Sequence, residues 1–122
     1  MDETMLARYG GLPVIAKVVL DFYDRVLSSD RLKGYFADAD MRRLVEHQAK
    51  FIASIMGGPA GYTGEYLHEV HAHLGIDKSA FDEMMRLLEE TLRDGRFAPA
   101  DVEAIMAEMR ARAPYVVTRP RA

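Results

Sequence analysis

A glycine-rich segment that leads into a short, histidine-rich helix constrains the fold of this chain more than any other feature. Residues 57–64 contain four glycines, and residues 65–74 contain three of the chain's four histidines. Glycine tolerates left-handed backbone conformations and commonly follows a helix C-terminus. The pattern therefore predicts an extended, flexible loop and then a helix from about Gly64 to Leu74, ended by Gly75. The next question is which histidine points into the protein.

Helical spacing selects one of these histidines. The apolar stripe of the predicted helix consists of Leu67, Val70 and Leu74. At about 100° per residue, His71 lies roughly 40° from Leu67, at the edge of this stripe. His68 and His73 lie at roughly 100° and 240°, so we expect both to be exposed to solvent. His71 is the inward histidine, and such a residue is commonly a core histidine bonded to backbone carbonyls.

The rest of the chain predicts four longer amphipathic helices. They run from about Pro13 to Ser28, from Asp38 or Asp40 to Gly57, from Asp77 to Asp94, and from Pro99 to Ala113, where Pro114 ends the last one. Aspartate and proline are favoured at helix starts, and glycine at helix ends. Residues 31–36 predict a short turn or 3₁₀ segment. The 122 residues, without repeat or linker, indicate one all-α domain over residues 1–122 with a frayed tail at 115–122.

Composition excludes several classes of protein. The chain has no cysteine, which removes disulfides, thiolate metal sites and iron–sulfur clusters. Sixteen Lys and Arg against nineteen Asp and Glu give a net charge of −3, which provides no basic surface for nucleic acid. No apolar run is long enough to span a membrane, and the acidic start does not resemble a secretory signal. We therefore expect a cytoplasmic protein.

Polar side chains also point inward from two of the longer helices. Tyr23 lies on the apolar side of the first, and Gln48, with His47 beside it, on that of the second. Each such group costs roughly 1–3 kcal/mol if it is buried without a partner, so a shared ligand would explain them. A structural zinc site needs more ligands than these residues provide, and a di-iron bundle needs a second Glu-x-x-His spacing. The strand–turn–helix motif that presents a nucleophilic serine for acyl transfer is also missing. Haem needs one axial imidazole, here His71, an apolar slot and a few polar groups.

The chain resembles a known family over residues 9–114. It is similar to the truncated haemoglobins, and specifically to their group I. The segments that carry the resemblance are Tyr9-Gly10-Gly11, Asp21-Phe22-Tyr23-Asp24-Arg25-Val26-Leu27, Tyr35-Phe36-Ala37-Asp38-Ala39-Asp40-Met41, His47-Gln48-Ala49-Lys50-Phe51, Gly57-Gly58 and Tyr62-Thr63-Gly64. The resemblance implies a two-over-two helical sandwich that encloses haem b, with the glycine-rich loop in place of most of the proximal helix.

The resemblance also assigns roles to individual residues. His71 aligns with the proximal iron ligand, in agreement with the helical spacing. Tyr23 and Gln48 match the distal tyrosine and glutamine that hydrogen-bond to a ligand on iron. Phe36 matches the phenylalanine that packs on the haem plane, and Phe51 an aromatic residue near the ligand's access route. We predict no catalytic residue beyond these cofactor-binding positions.

Two distal positions vary within the family. Leu44 stands where many globins carry histidine or glutamine, which shifts the hydrogen bonding onto Tyr23 and Gln48. His47 stands where some cyanobacterial members have a second iron-coordinating histidine, and its alternative role is that of an exposed residue near a haem propionate. No histidine follows His73. The covalent haem attachment of some members, which uses a C-terminal histidine, is therefore not expected.

Three functions follow from these assignments. The first is a haem protein that binds O₂, NO or CO and supports NO dioxygenation with an unidentified reductase. The second is a bis-histidyl protein for electron transfer or for redox or gas sensing, with His47 and His71 both on iron. The third is a haem-free helical interaction module. In each case we expect a monomer or weak homodimer that binds neither nucleic acid nor membrane.

Overall fold

Helices and 3₁₀ segments form all the regular structure in residues 4–58 and 64–117, which are the residues that the computed structural model describes. The helices are α1 (Met5–Arg8), α2 (Leu12–Leu27), α3 (Met41–Ile55), α4 (Gly64–His71), α5 (Lys78–Asp94), α6 (Pro99–Ala111) and α7 (Ala113–Val116). Two 3₁₀ segments, Lys33–Phe36 and Ala72–Leu74, follow α2 and α4. The all-α prediction is confirmed. In the described ranges, no helix has both the length and the apolar character needed to cross a membrane.

Local side-chain chemistry explains where the long helices begin. The carboxylate of Asp40 accepts a hydrogen bond from the backbone N–H of Arg43 at 3.3 Å, so Asp40 rather than Asp38 caps α3. Asp77 caps α5 in the same way through the N–H of Ala80, at 2.8 Å. Each cap satisfies a backbone donor that the first helical turn leaves without a partner. The sequence therefore positions α3 and α5 through these two carboxylates.

The four long helices pack in two layers around a common core. α2 packs against α3 and α5, and α6 packs against α5 and α3. The side chains at the centre of this core are almost fully buried: Ile15, Val19, Val26, Leu88, Leu92, Val102, Ile105 and Met106. All of them lie on the apolar faces of their helices. The apolar spacing that predicted the helices therefore also supplies the core.

The C-terminal end differs from the predicted frayed tail. α6 ends at Ala111, and Pro114 lies in the first turn of α7 instead of ending the preceding helix. Proline is tolerated at that position because the first turn needs no N–H from it. α7 includes residues 115 and 116 and packs against α4, while residues 118–122 lie outside the described residues. Residues 59–63 of the predicted glycine-rich loop also lie outside them.

A polar network that the sequence does not reveal joins the N-terminus to α6. The Asp101 carboxylate accepts hydrogen bonds from both terminal nitrogens of Arg8, at 3.2 and 3.1 Å, and from the Tyr9 hydroxyl at 2.5 Å. The Tyr9 hydroxyl accepts in turn from the N–H of Ala98 at 2.9 Å, and its ring stacks on Phe97 with centroids 4.1 Å apart. The Arg8 and Tyr9 hydrogen bonds lower the pKa of Asp101. The short helix α1 is thereby fixed to the start of α6.

Candidate functional site

A cavity of about 520 Å³ lies among the helices, with walls from α2 to α7 and both 3₁₀ segments. This volume is typical of a site for a small ligand or cofactor. Most of its lining is apolar, including Phe22, Leu67, Ile76, Phe81, Met85 and Leu88. All seven side chains that the sequence singled out also line it, namely Tyr23, Phe36, Leu44, His47, Gln48, Phe51 and His71. The fold thus brings the predicted site residues together at one place.

Tyr23 and Gln48 both lie in the wall of this cavity. Tyr23 is only 3% exposed, and the Gln48 amide is the hydrogen-bonding side chain that acts on its hydroxyl. Burial raises the pKa of Tyr23 far above its usual value, and the Gln48 bond lowers it by less. The phenol is therefore protonated at neutral pH. The Phe36 ring packs edge-on against Tyr23, with centroids 5.7 Å apart, and holds the phenol in place.

The orientation of His71 follows from a hydrogen bond within its own helix. His71 is the last residue of α4, and its Nδ1 lies 2.6 Å from the carbonyl oxygen of Leu67, one turn earlier. A carbonyl can only accept, so Nδ1 carries the proton and the lone pair is on Nε2. A backbone bond of this kind is the usual way in which proteins orient a histidine that ligates a metal. His68 is exposed, as predicted, and the side chain of His73 lies outside the described residues.

Leu44 and His47 complete the face of α3 that the cavity meets. Both side chains are half-buried and both line the cavity. Leu44 lies four residues before Gln48, and His47 lies four residues before Phe51, which is the spacing of one helical face. Because Leu44 is apolar, the polar side chains of this stretch of α3 that line the cavity are His47 and Gln48.

These residues suit haem better than a bare metal ion. In the described part of the chain, no group of three or more His, Asp or Glu side chains is placed to hold a metal. His71 alone cannot complete the coordination of an iron ion, and a macrocycle would have to supply the other in-plane ligands. The cavity offers that macrocycle an apolar slot with aromatic side chains, one correctly protonated imidazole, and a phenol–amide pair. The donor set therefore fits haem.

Two cationic side chains in the cavity wall were not predicted from the sequence. Arg43 lies one turn before His47 on the same face of α3, so the helical spacing could have indicated it. Arg112 also lines the cavity, and its guanidinium carbon lies 5.4 Å from the centre of the Phe51 ring. It follows the end of α6, where helical spacing gives no indication of its direction.

Comparison with known proteins gives consistent matches. Residues 4–117 match the family of bacterial-like globins. A group 1 truncated haemoglobin from Synechocystis sp. is 36% identical over 96 residues, which cover 75% of this chain and 77% of that protein. A second, from Mycolicibacterium paratuberculosis, is 33% identical over 111 residues, which cover 91% of this chain and 82% of that protein.

A solved structure shares the fold. The 2/2 haemoglobin from Synechococcus sp. PCC 7002, in the cyanomet state with covalently attached haem, superposes with a TM-score of 0.87 at 22% identity. The match covers 96% of this chain and 100% of that one, and it confirms the predicted two-over-two sandwich. The family implies a haem iron cofactor and haem-based binding of small gaseous ligands such as O₂. The chain belongs to the bacterial-like globin family, among the group 1 truncated haemoglobins.

Proposed function

We propose that this globin binds O₂ on its haem and supports the oxidation of NO to nitrate in the cytoplasm. The observation that carries the proposal is the buried Tyr23 phenol with the half-buried Gln48 amide, both in the wall of the cavity that His71 lines. An apolar cavity alone would suit CO or NO as well as O₂. A preorganised hydrogen-bond donor favours the ligand that gains negative charge on binding, which is O₂.

His71 would hold the iron through Nε2. Its Nδ1–H bond to the Leu67 carbonyl fixes both the tautomer and the plane of the imidazole. Haem iron, when bound, supplies the position for the gas and the redox chemistry that the protein's own side chains lack. His71 is half-buried and is the last residue of α4, so a helix rather than a loop would hold this iron ligand in place.

Tyr23 and Gln48 would act as the distal donors. When the Gln48 amide donates to the Tyr23 oxygen, the phenol proton is left to donate to a ligand in the cavity. This direction agrees with the lowering effect of Gln48 on the pKa of Tyr23. The raised pKa of Tyr23 keeps that proton on the phenol throughout the physiological range. Phe36 and Phe22 pack against the tyrosine ring and limit its motion.

The proposed reaction needs one more component. One NO and one O₂ combine and take up one electron to give one nitrate, so continuous turnover requires a one-electron reductase. Rapid mixing of the O₂-loaded ferrous protein with NO should yield one nitrate per haem, measured by ion chromatography. The CO-loaded protein is the control and should yield none. Recovery of nitrite in place of nitrate would contradict the proposed activity.

A bis-histidyl haem for electron transfer or sensing is the second candidate. It is favoured by one observation: His47 is half-buried and lines the same cavity as His71. If His47 ligates iron, the ferrous protein without added gas should show the sharp visible bands of six-coordinate haem. The His47→Ala variant should then lose those bands, and His68→Ala, on the exposed face of α4, should keep them. Identical spectra for wild type and His47→Ala would eliminate this candidate.

A further inference from the structure

Arg112 occupies an unusual position for a charged residue. It connects α6 to α7, its side chain is 28% exposed, and it lines the haem cavity. Its guanidinium carbon lies 5.4 Å from the centre of the Phe51 ring, and Phe51 is itself buried. A cation held over an aromatic face in this way keeps a fixed orientation. The positive charge is therefore a built part of the cavity wall.

The partner of Arg112 lies on the solvent side. Nη1 of Arg112 donates to the backbone oxygen of Glu108 at 2.6 Å and to its carboxylate at 3.1 Å. The Glu108 side chain is 57% exposed and does not line the cavity. Of this ion pair, the cation therefore lines the cavity and the carboxylate does not. Within residues 4–58 and 64–117, both side-chain hydrogen bonds of Arg112 use Nη1, so its Nε and Nη2 donors are not engaged there.

The other charged groups of the cavity lie at a distance from Phe51. Asp40 and Arg43 are at the start of α3, and Arg43 precedes Phe51 by eight residues, about 12 Å along the helix axis. The Asp40 carboxylate also caps the helix. Among the described lining residues, no carboxylate is close to Arg112 along α3. Arg112 therefore supplies the charge on an otherwise apolar part of the described cavity wall.

From this arrangement we propose that Arg112 makes the haem cavity a binding site for small oxyanions of the nitrite and nitrate class. The Nε and Nη2 donors lie in one plane, and this fork matches two oxygens of a planar oxyanion. Such an anion gains the guanidinium attraction, whereas a neutral gas does not. The proposal requires haem in the cavity but is independent of NO oxidation. Nitrate, the product of that reaction, belongs to the same class of ligand.

The test compares an anionic with a neutral ligand in the haem-loaded protein. Stopped-flow absorbance gives the association rate of nitrite with the ferric protein and of CO with the ferrous protein. Arg112→Gln should lower the nitrite rate about three- to tenfold and leave the CO rate unchanged. Arg112→Lys, which keeps the charge, should recover most of the nitrite rate. Added salt should slow nitrite association in the wild type and have much less effect in Arg112→Gln.

The matched control is Arg110→Gln. Arg110 is exposed, pairs with Glu89 and does not line the haem cavity, so both rates should remain at wild-type values. An unchanged nitrite rate in Arg112→Gln would overturn the proposal. An equal fall in the nitrite and CO rates would also overturn it, since it would assign Arg112 a role in packing. Faster haem transfer to apomyoglobin with an unchanged nitrite rate would overturn it too, by assigning Arg112 to a haem carboxylate. Nitrite association in the wild type that does not slow with added salt would likewise overturn the proposal, and this measurement needs no variant.

Discussion

Replacement of Tyr23 by phenylalanine is expected to raise the O₂ dissociation rate by roughly ten- to one hundredfold. The variant keeps the ring that packs on Phe36 and removes only the hydroxyl. A hydrogen bond to a charged acceptor contributes about 1.5–3 kcal/mol, and each 1.4 kcal/mol is roughly a factor of ten in rate. The CO dissociation rate should change much less, because bound CO carries little negative charge. Laser photolysis or stopped-flow displacement measures both rates.

Tyr35→Phe is the matched control for this substitution. Tyr35 also lines the cavity and is half-buried, and it loses the same single oxygen atom. The O₂ dissociation rate of Tyr35→Phe should stay within a factor of about two of the wild type, because substitutions away from Tyr23 and Gln48 should have small effects. If Tyr23→Phe released O₂ at the wild-type rate, Tyr23 would not be the distal donor.

The pH dependence of the same rate provides an independent check. Burial raises the pKa of Tyr23, so the phenol keeps its proton as the pH rises through neutrality into the mildly alkaline range. O₂ dissociation from the wild type should accordingly be flat over this range. A phenol with an ordinary pKa would begin to lose its proton below pH 10, with roughly half lost at about pH 10. A rise in the dissociation rate below that pH would mean that Tyr23 is less buried than the structure shows.

Helical spacing accounts for the part of the site that could be predicted from the sequence. Gln48 interrupts an apolar stripe on α3, and His71 lies at the edge of another on α4, so both are visible without tertiary information. The spacing identifies the face of a helix that is buried. The common cavity required a further step, because one face can contact many partners. For that step the sequence offered the cost of burying several polar groups without a shared partner, together with the resemblance to the truncated haemoglobins.

Contacts between distant parts of the chain account for what was missed. Arg8 and Asp101 are 93 residues apart in the sequence, and nothing in either local pattern indicates that they meet. α1 has four residues, too few for a periodic pattern to emerge. The direction of Arg112 depends on where α6 ends and α7 begins, and Pro114 suggested one helix end where the structure has a new start. From sequence alone, a charged residue next to a helix end is expected to be exposed to solvent. The position of Arg112 in the cavity wall was therefore not predicted.

Replacement of His71 by glycine should remove the proximal ligand, and haem should dissociate more than about a hundredfold faster. Loss of groups that only orient a metal ligand costs about ten- to one hundredfold in metal affinity, so loss of the ligand itself should cost more. Transfer of haem to excess apomyoglobin measures the rate. Added imidazole should slow haem loss in this variant and restore a histidine-like spectrum, because glycine leaves room for the ring.

His68→Gly is the control for the glycine substitution itself. His68 lies three residues earlier on the same helix and is exposed, so this change places the same helix-weakening residue in α4 without touching the cavity. Its haem should dissociate at close to the wild-type rate, and imidazole should have no effect on it. Equal haem loss from the two variants would show that the stability of α4, rather than an imidazole on iron, holds the cofactor. If haem is lost fast from His71→Gly alone, and imidazole reverses the loss, His71 is the iron ligand. The ligand atom is then Nε2, because Nδ1 donates to the Leu67 carbonyl.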